Sequence, residues 1–96
     1  MELFLFARFH ARPGCEDQVR QAIAEVQGPT RAEPGCLGYQ AFRSVRDASE
    51  FYVHSRWRDQ DAFELHASLA HTLRFVAGVE KVLDHPLTVS LTKAIP

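Results

Sequence analysis

A chain of 96 residues fits one domain, and 46% hydrophobic with 24% charged residues is a globular balance that excludes a disordered chain. A formal net charge of −1 leaves no basic surplus for nucleic acid or anionic lipid. No apolar run reaches the ~18 residues of a membrane helix.

The start, MELFLFARFH, lacks a basic leader and a small-residue cleavage site, so a cytoplasmic protein is expected. From Glu2 to Ala11 the chain reads as a strand with Leu3, Leu5, Ala7 and Phe9 on one face and Phe4, Phe6, Arg8 and His10 on the other. Both faces begin apolar, so both should be covered. Arg12-Pro13-Gly14 stops the strand. From Cys15 to about Ala32, Val19, Ala22, Ile23 and Val26 keep helical spacing, with Glu16 and Asp17 suited to the first turn. Gly28-Pro29 should kink or split this helix, leaving Thr30–Glu33 as a last turn before EPGC ends it.

Leu37–Val45 and Phe51–Trp57 form a predicted hairpin across Arg46–Ser49. Phe51, Val53, Ser55 and Trp57 share one face of its second strand, and Tyr52, His54 and Arg56 the other. Asp59 is a suitable N-cap for a helix through Ala62, Phe63, Leu65 and His66, and Ser68 for a second piece running to Leu83. Asp84-His85-Pro86 ends it, and Leu87–Thr92 alternates as a last strand. The order β-α-β-β-α-β predicts an α+β, ferredoxin-like split pattern: an antiparallel sheet with helices on one face. A domain this short buries only ~60–65% of its unfolded surface, so a pocket of ~300 Å³ or more is easier to hold if a second subunit covers the sheet. A homodimer through sheet faces is therefore expected, with His10 and His54 as polar groups of that interface. Cys15 and Cys36 match no CxxC motif and are expected to be free thiols.

Candidate chemistry centres on His66 and His71. Five residues along a continuous helix rotate by ~500°, which puts the two rings ~140° apart. Metal-binding helix pairs use i,i+4, so this spacing does not predict a metal pair. A break at Ser68 lets both rings converge on the space between helices and sheet. A partly buried histidine titrates near neutrality and suits removal of a proton from a phenol or enol. The bland reading is a hydrogen-bonded core residue and a solvated one, and spacing alone leaves both open. Trp57, with Phe63, Phe9 and Tyr39, can be core or can wall a flat aromatic ligand. Arg74 lies one turn beyond His71, where it can be a surface charge or approach an anionic intermediate. No phosphate loop, GxSxG or serine triad is present, and no nucleotide or flavin is indicated.

The segments RPGCEDQVRQAI, PTRAEPGCLGYQAFR and FYVHSRWRDQDAFELH resemble the antibiotic biosynthesis monooxygenase (ABM) domain, including quinol monooxygenase-like proteins, from Leu3 to Ile95. The most specific pieces are EPGC-x-GY at Glu33–Tyr39 and the layout Trp57, Asp59, Ala62, His66, His71. The resemblance implies a ferredoxin-like protomer paired into a dimeric α+β barrel. It also implies oxidation of an electron-rich phenol or hydroquinone by dioxygen without metal, flavin or haem. Carried onto this chain, Trp57 is a pocket wall, His71 the base and His66 its orienting partner. Leu69–Thr72 reads LAHT where relatives often carry SPHF, and the absence of any asparagine disfavours the haem-degrading branch. The second half also resembles a small isomerase that processes a phosphorylated quorum signal without oxygen. An isomerase or other proton-transfer enzyme, and a non-catalytic dimeric ligand-binding module, stand as the alternatives.

Overall fold

The computed structural model describes all 96 residues. Strand β1 (Leu3–His10) is followed by helix α1 (Glu16–Arg31), strands β2 (Cys36–Arg43) and β3 (Glu50–Trp57), helices α2 (Gln60–Ser68) and α3 (Ala70–Glu80), and strand β4 (Thr88–Thr92). The sheet order is β2-β3-β1-β4 with every pair antiparallel, the ferredoxin-like arrangement that the element order predicts.

The period-two reading of β1 sets the layers. Leu5, Ala7 and Phe9 are buried on the helix side, while on the other Phe6 and Arg8 are exposed and Phe4 is half-buried. Opposite β1, the buried Val53, Ser55 and Trp57 of β3 continue the inner face. Trp57, Phe9, Val19 and Val79 form the fully enclosed centre, where sheet, α1 and α3 meet. The β2–β3 turn is built as expected: Ser44 Oγ accepts from the Arg46 and Asp47 backbone N–H groups, and Asp47 Oδ1 from that of Ser49. Both cysteines are free thiols.

Three helix details differ from the sequence expectation. α1 runs unbroken through Gly28-Pro29 to Arg31. Proline removes one N–H near the end of the helix, and Val26 and Thr30 on either side are buried, so packing outweighs the single lost bond. The break between α2 and α3 falls at Leu69, not Ser68. Leu69 is extended (φ −72°, ψ 149°), while Ser68 is the last residue of α2, its hydroxyl donating to Leu65 O at 2.7 Å. α3 ends at Glu80 rather than Leu83, and Leu83 instead bridges to Ala11 beside the sheet.

Candidate functional site

The turn that ends α1 carries the group that organises the site. Glu33 N–H donates to Thr30 O at 3.1 Å and Glu33 O accepts from Cys36 N–H at 3.0 Å, which fixes the turn. Gly35 O accepts from Arg58 N–H at 2.9 Å, tying the turn to the start of α2. α2 begins where Asp59 Oδ1 accepts from Ala62 N–H at 2.8 Å. In its last turn α2 delivers His66, and after Leu69 the first turn of α3 delivers His71.

Both histidines meet Glu33. Its Oε2 lies 2.8 Å from His66 Nδ1 and 2.8 Å from His71 Nε2. The Glu33 side chain is only 8% exposed, against 15% for His66 and 20% for His71. An ionised carboxylate only accepts, so this network assigns a hydrogen to each facing nitrogen. In neutral rings the lone pairs are then on His66 Nε2 and His71 Nδ1. Thr72 Oγ1 is 3.3 Å from His66 Nδ1. The His66 ring packs against Trp57, with ring centres 4.3 Å apart, and the Trp57 indole N–H donates to Ser55 Oγ at 3.0 Å.

A mostly apolar cavity of about 500 Å³ lies between sheet and helices. Its wall includes Phe9, Tyr39, Phe63 and His66, together with Thr30, Ser55 and Thr72. Thr30 is fully buried and its hydroxyl has no hydrogen-bond partner. Burial pushes the Tyr39 phenol up to about 12, against a smaller opposing effect of the Arg31 charge, so it stays a neutral donor across the physiological range. The volume falls within the range of small-molecule sites.

Of the residues singled out from sequence, Phe9, Tyr39, Phe63 and His66 share this wall. Trp57 is fully buried and backs the wall from behind His66. His71 and Arg74 line a separate cavity of about 390 Å³ between α1 and α3, so Glu33 bridges two histidines that face different spaces. His10 and His54 lie away from both cavities. His54 stacks on Phe6 with ring centres 4.6 Å apart, and His10 is held between Asp84 (2.7 Å) and Asp47 (3.0 Å). Sequence reasoning missed Glu33, Thr30, Ser55 and Thr72. Thr30 continues the buried stripe Val19, Ile23, Val26, and that spacing was a usable signal. Glu33 sits in the most specific motif of the chain, but nothing local pairs it with residues more than thirty positions away.

Comparison with known proteins gives a consistent picture. Residues 3–78 match the family model described as "Antibiotic biosynthesis monooxygenase". The chain is 32% identical over 87 residues to "Putative monooxygenase Rv0793" of Mycobacterium tuberculosis, covering 91% of this chain and 85% of that protein. It is 34% identical over 78 residues to "Putative monooxygenase YcnE" of Bacillus subtilis, covering 81% of each. The solved structure of Rv0793 superimposes with a TM-score of 0.95 over 100% of this chain and 97% of that one, at 28% identity. That of PA3566 from Pseudomonas aeruginosa gives 0.91 over 99% and 95%, at 32% identity.

Proposed function

This chain belongs to the antibiotic biosynthesis monooxygenase family, and on that premise we propose that it oxidises an electron-rich phenol or hydroquinone with dioxygen in the cavity between sheet and helices. A monooxygenase-like function on a small molecule follows from the family itself. The finer reading is carried by one observation: a mostly apolar cavity whose wall holds a histidine backed by a buried carboxylate.

Glu33 accepts a hydrogen bond from His66 Nδ1–H, so the Nε2 lone pair is available to a substrate hydroxyl. Deprotonation makes the substrate a phenolate, a far better electron donor to oxygen, while Glu33 stabilises the imidazolium that forms. Transfer of an electron to O₂, recombination at the ring and loss of water place one oxygen atom in the substrate and the other in water. The substrate supplies every electron: hydroquinone plus O₂ balances as hydroxyquinone plus water. We assign the base to His66 rather than His71, because His66 lines the larger cavity. His71, the second donor to Glu33, then acts as a positioning residue. Two copies pair through the exposed sheet face, where Phe6 and Phe42 are each 52% exposed, a patch that suits a subunit interface.

The test is oxygen uptake by chelator-treated protein with a hydroquinone. His66→Ala is expected to lower the rate by ~10²–10⁴, with His71→Ala costing less. Unchanged uptake in His66→Ala removes the base assignment, and substrate turnover under strict anaerobiosis favours the proton-transfer alternative instead.

A further inference from the structure

Glu33, His66 and His71 also form a set of metal-ligand atoms. Each offers one donor, and the three donors lie within 4.8 Å of one another. Zinc-type ions hold imidazole nitrogen and carboxylate oxygen at ~2.0–2.2 Å, which separates two bound ligand atoms by ~2.8–3.1 Å at a right angle and ~3.3–3.6 Å at the tetrahedral angle. The observed 2.8 Å separations of Glu33 Oε2 from His66 Nδ1 and from His71 Nε2 lie at the short end of that range, so the three side chains need to part by only about half an ångström to seat a tetrahedral ion. The geometry points to a divalent transition-metal site at these three residues, of the class that accepts Zn²⁺, Co²⁺ or Ni²⁺.

The chemistry of the set favours this class. Two imidazoles and one carboxylate suit borderline first-row ions rather than Mg²⁺ or Ca²⁺, which take oxygen ligands. Three protein ligands leave a fourth position open, as in two-histidine, one-glutamate zinc sites. The ligands come from three rigid points: the fixed turn after α1, the last turn of α2 and the first turn of α3. The cavity shared by His71, Glu25 and Arg74 offers an approach. An ion replaces the two hydrogens that now point at Glu33, and each neutral ring moves its own hydrogen to the far nitrogen. His66 then presents N–H rather than a lone pair at Nε2, so a bound ion and the proposed base exclude one another. The ion binding itself does not depend on the oxygenase reading.

A second cluster supplies an internal control. His10, Asp84 and His85 also group donors within 4.8 Å, but Asp84 and His85 are exposed there. Both nitrogens of His10 are already held by carboxylates. The chelator-treated full chain is titrated with Co²⁺, followed by its visible absorption, and with Zn²⁺ by calorimetry. One ion per chain is expected at the triad, weakened by at least ~100-fold in Glu33→Gln and in His71→Ala and unchanged in His10→Ala. Histidine-ring NMR of the unaltered protein gives a second readout that needs no variant to fold: Zn²⁺ must shift the rings of His66 and His71 and leave those of His10 and His85 in place. No binding, or binding that survives both triad variants and disappears in His10→Ala, overturns the site. Oxygen uptake run in parallel bears only on the base role.

Discussion

Gly35→Ala tests whether the site is set by the close approach of two backbones. A Cβ at position 35 meets Ala62 Cβ far inside van der Waals contact and lies 3.4 Å from Ala62 Cα. Carbon atoms prefer ~3.5–4.0 Å, so α2 must move outward by on the order of 1 Å. No flexible side-chain end can swing aside, because the opposing atoms belong to the first turn of a capped helix. Overpacking of this kind costs ~1–3 kcal/mol, and reduced freedom of the unfolded chain returns only ~0.4–1 kcal/mol. With backbone on both sides of the contact, the upper half of that range applies. A net loss of about 2 kcal/mol then lowers the melting temperature by ~8–16 °C for a domain of this size. Movement of α2 also lengthens the 2.8 Å contact of His66 with Glu33, and a misplacement of ~1 Å can cost ~100-fold in rate. Urea unfolding of Gly35→Ala, Ala62→Gly and the double variant measures the effect. Ala62→Gly alone costs ~1 kcal/mol through helix propensity, but it removes the clashing atom. The double variant should therefore be more stable than additivity predicts by over ~1 kcal/mol. A Gly35→Ala stability within ~0.5 kcal/mol of wild type, or simple additivity in the double variant, refutes the reasoning.

The remaining predictions concern other parts of the molecule. His10 is raised above its ordinary value of 6.5 by hydrogen bonds to Asp47 and then Asp84. Asp47 is lowered from 3.8 by the Ser49 backbone N–H and then His10; in Asp84, partial burial opposes the shift but the bond and charge of His10, with His85, prevail. The stability difference between wild type and His10→Ala is therefore present between these ranges. It fades as pH rises past 6.5 through the raised value, and as pH falls past 3.8 through the lowered ones; thermal melts from acid to alkaline pH check both limits. Thr30→Val removes a fully buried hydroxyl that has no partner, and should raise stability by ~1 kcal/mol in urea titration; a loss instead would mean that the hydroxyl is bonded in solution. Phe42→Glu on the exposed sheet face should give a folded monomer by sedimentation if two copies pair there, and an unchanged assembly state would locate the interface elsewhere.

Legibility in the sequence followed the range of the interaction. The faces of β1 and β3, the hairpin turn and the Asp59 cap all rest on contacts within a few residues, and pattern alone placed them. The helix break was legible to within one residue, because Ser68 looks like a cap while the backbone in fact turns at the following Leu69. Gly28-Pro29 read as a kink because local rules weigh a proline more than the buried Val26 and Thr30 that flank it. Glu33 was invisible as a site residue for the opposite reason. Its partners are brought to it by the packing of Gly35 on Ala62 and the Arg58 N–H bond to Gly35 O, contacts between segments far apart in the chain.

Those contacts and the extended Leu69 together explain why an unpromising histidine spacing becomes a site. On one continuous helix the rings of His66 and His71 would diverge by ~140°. One extended residue resets the helix axis, and each ring then needs a partner for its N–H in a poorly solvated place. A single carboxylate oxygen has two acceptor directions, so one buried Glu33 can satisfy both rings where two neutral acceptors would otherwise be required. The arrangement makes the histidines unequal although they share a partner. His66, against Trp57, faces the large apolar cavity, and His71 faces the gap between α1 and α3. Loss of Glu33 should therefore affect both spaces at once, whereas loss of either histidine should leave the other anchored.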